Sequence, residues 1–169
     1  MMEERQDLTT LEVLTIGIKA EMAAVALYTR MKELSAAKDM QETMDFLIGQ
    51  EERHEHFMRK AFKDQFPEVE IKVPKESVIP AIEEELGENA GMKELFEFAM
   101  EKEKIANEFY TDLASRTRDP NSRKLLEYIA SMELSHLAIL KAEYHQFELS
   151  TDQDLDDFLR GERMMHFGP

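Results

Sequence analysis

The chain has no cysteine and no tryptophan, and only 6 glycines and 5 prolines among 169 residues. Without cysteine it can hold no disulfide framework, no thiolate nucleophile and no sulfur-ligated iron centre. So few glycines and prolines argue against a turn-rich β protein and for long helices. Positive charge is scarce as well: 21 Lys and Arg stand against 36 Asp and Glu, a net charge of −15. A field of that sign repels phosphate backbones, so nucleic acid is not an expected partner, whereas metal cations or a cationic partner would be drawn in. No run approaches the roughly 18 uncharged apolar residues that suggest a membrane span. The segment Met1-Met2-Glu3-Glu4-Arg5-Gln6-Asp7 lacks the basic start and apolar stretch of a signal peptide. The expectation is therefore a cytoplasmic protein. Its length suits a single domain over 1–169, able to bury roughly 70% of its unfolded surface.

What is present is helical periodicity. From Leu11 to about Leu34, apolar residues recur as Leu11, Leu14, Ile18, Val25, Tyr28 and Met31. Thr9 and Glu12 have the spacing of a capping box at the start of that helix. A second helix is expected from about Lys38 to Phe66, with Met44, Leu47, Ile48, Phe57, Met58 and Phe62 inward. The short link between them makes the pair an antiparallel hairpin over about 9–66. Residues 67–91 carry Pro67, Pro74, Pro80, Gly87 and Gly91 and read as a crossover connection, with a short helical turn near Ala81–Leu86. A third helix fits Met92 to about Ser115, with Leu95, Phe96, Ala99, Phe109 and Leu113 inward. Asp119-Pro120 supplies a stop and a new start. A fourth helix then runs to about Phe147, with Leu125, Tyr128, Ile129, Leu137 and Leu140 inward, closing a second hairpin over about 92–148. Ser150-Thr151 is expected to cap a short fifth helix within 149–169, followed by the apolar tail Met164-Met165-His166-Phe167. The fold class is thus all-α: two hairpins joined by a long crossover into a four-helix bundle, plus a short C-terminal helix.

The two hairpins repeat one pattern. Glu21, Tyr28, Glu51 and His54 return as Glu103, Tyr110, Glu133 and His136, each 82 positions later (103 − 21, 110 − 28, 133 − 51, 136 − 54). Apolar sites follow the same offset: Leu14 with Phe96, Leu27 with Phe109, Leu47 with Ile129, and Met58 with Leu140. Glu21, Glu103 and Glu133 lie on apolar stripes. Glu51 has Glu52 and Glu55 nearby and is the most polar of the four in its surroundings. A lone buried carboxylate costs several kcal/mol unless it is paired or ligated, so four of them call for a cation. A Glu-x2-His step puts a carboxylate and an imidazole about one helical turn apart on one face. A single such step on an acidic helix is ordinarily solvated. Two of them, at equal spacing and with no other Glu-x2-His in the chain, point to a paired metal site. Four glutamates and two histidines match the di-iron and di-manganese carboxylate bundles, and oxygen-rich ligation suits iron or manganese.

Tyr28 and Tyr110 lie two turns beyond Glu21 and Glu103, on the same faces, where a metal-bound carboxylate would satisfy each phenol. His56, His145 and His166 have no partner at the repeat offset and are expected at the surface. The methionines, Met22, Met44, Met58, Met100 and Met132 among them, read as core filler. Gly17, Ala20, Ala24, Gly49 and Ala106 either leave room for a small oxidant or allow close helix packing.

On these residues the chain, over about 8–148, resembles the rubrerythrin-like branch of the ferritin-like superfamily. The resemblance implies a ferritin-like bundle holding two iron ions, with manganese or a mixed pair as alternatives. Glu51 and Glu133 would bridge the metals, and Glu21, Glu103, His54 and His136 would be terminal ligands. It further implies a homodimer that reacts with hydrogen peroxide or dioxygen. Rubrerythrins proper also carry a rubredoxin-like domain with four cysteines. This chain has none, so electrons would come from an external electron-transfer protein or a small reductant. They also use an additional glutamate on the third helix, where the positions around Glu103 here hold Ala99, Met100, Ala106 and Asn107. Two other functions stay open at this point: ferroxidase activity or iron handling, and a non-catalytic helical interaction module with solvated glutamates.

Overall fold

A computed structural model describes residues 9–75 and 86–159, with side chains to Asp152. Four helices account for nearly all of it: α1 (Thr10–Leu34), α2 (Lys38–Gln65), α3 (Met92–Arg116) and α4 (Pro120–Leu159). Each start has a chemical cause. Thr9 and Glu12 form the expected capping box, the Thr9 N–H donating to the Glu12 carboxylate at 2.8 Å and the Glu12 N–H to the Thr9 hydroxyl at 3.3 Å. At the α1–α2 turn, the Gln41 amide donates to the Ser35 carbonyl at 2.7 Å, which ties the first turn of α2 to the link. Glu94 reaches back to the Gly91 N–H at the head of α3. Asp119 accepts the Ser122 N–H at 2.7 Å ahead of α4, with Pro120 in the first turn, where its missing N–H costs nothing.

The core divides into two layers, and these give the helix directions. One gathers Val13 and Leu14 from the start of α1, Met58 and Phe62 from the end of α2, Phe109, Tyr110 and Ala114 from the end of α3, and Ile129 from the start of α4. The other gathers Met31, Met44, Leu95, Phe96 and Leu140 from the opposite ends. So α1 and α2 are antiparallel, α3 and α4 are antiparallel, and α1 runs against α3. The described ends of the crossover lie at opposite ends of the bundle. Ile71 and Val73 pack on the first layer and Leu86 on the second. Arg30 fastens its far end, donating to the carbonyls of Gly87 at 2.8 Å and Glu88 at 2.9 Å. The described part of the crossover contains no strand or helix. The expected turn near Ala81–Leu86 falls almost wholly outside the described residues, as does the tail Met164–Phe167.

Four expectations are corrected. The fourth and fifth helices are one, α4 running unbroken through Ser150 and Thr151 to Leu159. The two hydroxyls do not cap a new helix; both donate back to the Phe147 carbonyl, at 2.8 and 2.9 Å, as interior Ser and Thr do. Tyr128 is half exposed, because the buried stripe of α4 runs through Leu126, Ile129, Ala130, Glu133, His136, Leu137 and Leu140, and Tyr128 stands beside it. Phe57 is likewise at the surface, and Met22 stands exposed with its sulfur beside the Arg59 guanidinium rather than in the core.

Candidate metal centre

Each helix contributes its share of the centre from the middle of its buried stripe. On α2 that stripe reads Met44, Leu47, Glu51, His54, Met58, Phe62, a spacing of three and four that keeps every member inward. Glu51 is therefore as buried as the core around it, at 0% exposure, although Glu52 beside it is exposed. Glu21 on α1, Glu103 on α3, and Glu133 and His136 on α4 are buried as well. All six expected ligands come together in two groups, Glu21–Glu51–His54–Glu133 and Glu51–Glu103–Glu133–His136. Within each group one ligand atom per residue lies within 4.8 Å of the others. Glu51 and Glu133 belong to both, the positions from which a carboxylate can serve two ions.

The histidines present Nδ1 to this cluster. His54 Nδ1 lies 3.1 Å from Glu51, 3.2 Å from Glu133 and 3.6 Å from Glu21. His136 Nδ1 lies 2.8 Å from Glu51, 3.2 Å from Glu133 and 3.8 Å from Glu103. The rings stack at 5.5 Å between centroids.

Charge in the metal-free cluster sorts by neighbour. Burial alone would raise the Glu51 carboxyl, but the close approach of His136 and the hydrogen bond with His54 overcome it and hold it at about 2. Glu133 is lowered by the same two partners against the same burial. Burial opposes charge on His54 too, yet Glu133, Glu21 and Glu51 raise it to about 12, and Glu133 and Glu51 raise His136 to about 9. Glu21 and Glu103 go the other way, pushed well up by burial and by the Glu133 charge. Two ionised carboxylates, two imidazolium rings and two carboxyls inclined to stay neutral thus stand in for a cationic load.

Protons satisfy the cluster only in part. Glu51 Oε1, Glu103 Oε2, Glu133 Oε1, His54 Nε2 and both ring nitrogens of His136 have no aligned hydrogen-bond partner. The 2.8 Å approach of His136 to Glu51 is a close charge contact rather than a directed bond. Buried acceptors left without partners are costly, and a convergent set of carboxylate oxygens and imidazole nitrogens is what a pair of hard-to-borderline divalent cations requires. The residues present fit a dinuclear metal group.

Tyr28 and Tyr110 serve the cluster from opposite sides, and they cross between hairpins. The Tyr28 hydroxyl donates to Glu103, and the Tyr110 hydroxyl donates to Glu21. Helical side chains lean toward their own N-terminus, so each tyrosine, two turns beyond its own glutamate, leans back toward the centre. Because α1 and α3 are antiparallel, that brings it to the glutamate of the other helix. Burial and the neighbouring carboxylates raise both phenols well above their usual range, so both hydroxyls keep their protons. Gly17 makes room for one of them: a Cβ there would stand 3.3 Å from the Tyr110 hydroxyl oxygen and 3.4 Å from the Met58 sulfur.

Sequence reasoning missed Asn107, whose Nδ2 donates to the Ala130 carbonyl at 2.7 Å and pins α3 to α4 beside the site. Its place one turn after Glu103 was the available signal. His56 and His145 are exposed as expected, and His166 lies outside the described residues. Of the small residues, Ala20, Ala24 and Ala106 line a cavity between α1 and α3, whereas Gly49 faces open space.

The model of the rubrerythrin family matches residues 12–144. The chain belongs to the rubrerythrin family. A hypothetical protein from Pyrococcus furiosus is 31% identical to it and superposes with a TM-score of 0.74, over 84% of this chain and 92% of that one. CopM in its Cu(I)-bound form superposes with a TM-score of 0.65 at 12% identity, over 83% of this chain and 99% of that one. At such identity the likeness concerns the fold alone. No curated protein matches the chain. The ferritin-like bundle is thus established for this rubrerythrin-family chain, and no helix among its described residues is long and apolar enough to cross a membrane.

Proposed function

We propose that this chain is a di-iron carboxylate oxidoreductase that reduces hydrogen peroxide or dioxygen with electrons from an external donor. The observation that carries the reading is the pair of buried ligand groups sharing Glu51 and Glu133, with lone pairs left unpartnered at their centre. Iron held there supplies one electron per ion on going from +2 to +3, so two ions meet the two electrons that, with two protons, turn peroxide into two waters. The protein's own part is positional. Tyr28 and Tyr110 fix the orientation of Glu103 and Glu21, and Asn107 holds α3 at its distance from α4. The cavity between α1 and α3 reaches Glu21, Glu51, Glu103 and Glu133, and Phe98, Ile105 and Phe109 are among the apolar residues that line it. The metal identity, a homodimeric state, a cytoplasmic location and a separate electron-transfer partner belong to the same proposal.

The test is stopped-flow absorbance of Fe(II)-loaded protein mixed with peroxide. Oxidation well above the rate of free iron, stoichiometric with two ions per chain, is expected; a rate equal to that of free iron refutes the peroxidase reading. The net charge of −15 favours Fe(II) attraction and so gives ferroxidase or storage activity a claim. Light scattering separates these: a dimer supports the oxidoreductase, and a closed shell supports storage.

A further inference from the structure

The internal repeat supplies a control for the outer face of α4. On α2 the solvent-facing side chains around the metal ligands include Glu52, Arg53, His56 and Lys60. At the 82-residue offset α4 carries Leu134, Ser135, Ala138 and Ala142, and all eight positions are exposed. Between Glu127 and Lys141 the only acidic or basic side chains are Glu133 and His136, both buried. More than three turns of an exposed helix thus present no charge to water, in a chain that is 34% charged. Tyr128 and Leu134 are 50% and 52% exposed there. Depletion of charge, more than bulk apolarity, marks the core of an interface. The face can also be covered without losing hydrogen bonds. The Ser131 hydroxyl donates to the Tyr128 carbonyl at 2.7 Å, and the Ser135 hydroxyl to the Ser131 carbonyl at 3.2 Å. Both described ends of the crossover are fastened to α1, by Lys19 and Arg30, and α1 packs chiefly on α2 and α3 rather than on α4.

The charges that border this face select its occupant. Glu127, Ser131, Leu134, Ala138 and Lys141 follow at steps of four, three, four and three, the spacing of a helix–helix seam, and each is exposed. Leu134 stands midway, with an acid seven residues before it and a base seven residues after it (134 − 127 and 141 − 134). A copy of the same helix laid antiparallel about a two-fold axis near Leu134 sets Glu127 against the partner's Lys141 and Lys141 against the partner's Glu127. A parallel copy would set like charges together. Ser131 and Ala138 are small enough to let the two helices approach closely. We infer that this face of α4 docks antiparallel on the same face of a second copy of the chain. The inference rests on the homodimeric part of the proposed function and names its surface; it needs nothing from the metal site.

The test is sedimentation equilibrium of the full chain and its variants. The native chain is expected to be a dimer, and Ala138→Arg, which puts two cations into the seam, a monomer of unchanged helicity. Glu127→Lys should weaken the dimer roughly tenfold, and adding Lys141→Glu to it should restore the affinity. Because the chain has no cysteine, Leu134→Cys gives a second measurement: a short bismaleimide should link it to itself across the two-fold, and should not link Glu33→Cys on α1. A dimer that Ala138→Arg leaves intact, or a Leu134→Cys chain that does not cross-link, overturns this face while the homodimer stands. A native chain that is monomeric at every concentration overturns both and leaves the face to a different protein. Metal content is measured separately, and none of these outcomes alters it.

Discussion

Loading the cluster with metal must expel protons, and the structure sets how many. In the metal-free chain His54 is raised to about 12 and His136 to about 9, so both rings are cationic at pH 7. A ring that presents Nδ1 to a metal must first lose that proton. Glu21 and Glu103, pushed well up by burial and the Glu133 charge, surrender whatever protons they hold as well. Glu51 and Glu133 are ionised already and contribute none. Filling both positions at pH 7 should therefore release about two protons from the histidines and up to about four in all. The overall affinity for the pair of ions should then rise by roughly two to four powers of ten per pH unit near neutrality. Calorimetric titration of Mn(II) or anaerobic Fe(II), repeated in buffers of differing ionisation enthalpy, counts the protons directly. Release of fewer than about one proton per two ions would refute the assigned protonation states.

The same groups fix the pH dependence of the metal-free fold. The two histidine pKa values are raised, so their contribution is fully present below the unfolded value near 6.5 and is lost as pH rises through about 9 and then about 12. Denaturant melts should show the metal-free protein weakening above pH 8 while the loaded protein does not. Tyr28→Phe leaves a buried Glu103 oxygen without its donor and should cost about 1–3 kcal/mol in the metal-free state, with metal affinity down roughly 10–100-fold; competition with a chelator reads the latter. Gly17→Ala gains about 1 kcal/mol of helix propensity but presses on the Tyr110 hydroxyl, so melts should show little net change while metal binding weakens. Thr9→Ala removes the capping box of α1 and should lower stability by about 1 kcal/mol without altering metal content.

The bundle was legible because each of its signals is local. Periodicity, a capping box and Asp-Pro punctuation placed all four helices to within a residue or two at most ends. The 82-residue repeat made the six candidate ligands, which the fold brings together, readable from spacing alone. Where the reading failed, it judged a residue by its neighbours in sequence rather than by its stripe. Glu51 looked polar beside Glu52 and Glu55, yet Met44, Leu47, His54 and Met58 carry it inward. Ser150 and Thr151 have the side chains of a helix cap, but nothing between Pro120 and Leu159 breaks the helix, and their hydroxyls turn back on Phe147. The tyrosines were placed beside the site but not across it, because their crossing depends on α1 running against α3, a tertiary fact.

The central claim is that Glu51 and Glu133 each serve two metal ions. Metal content of the anaerobically reconstituted protein, set beside that of a Glu51→Ala, Glu133→Ala double variant of unchanged helicity, tests it most directly. Two ions per chain in the native protein and near-complete loss of both in the variant is the predicted result; a variant that keeps its two ions contradicts it.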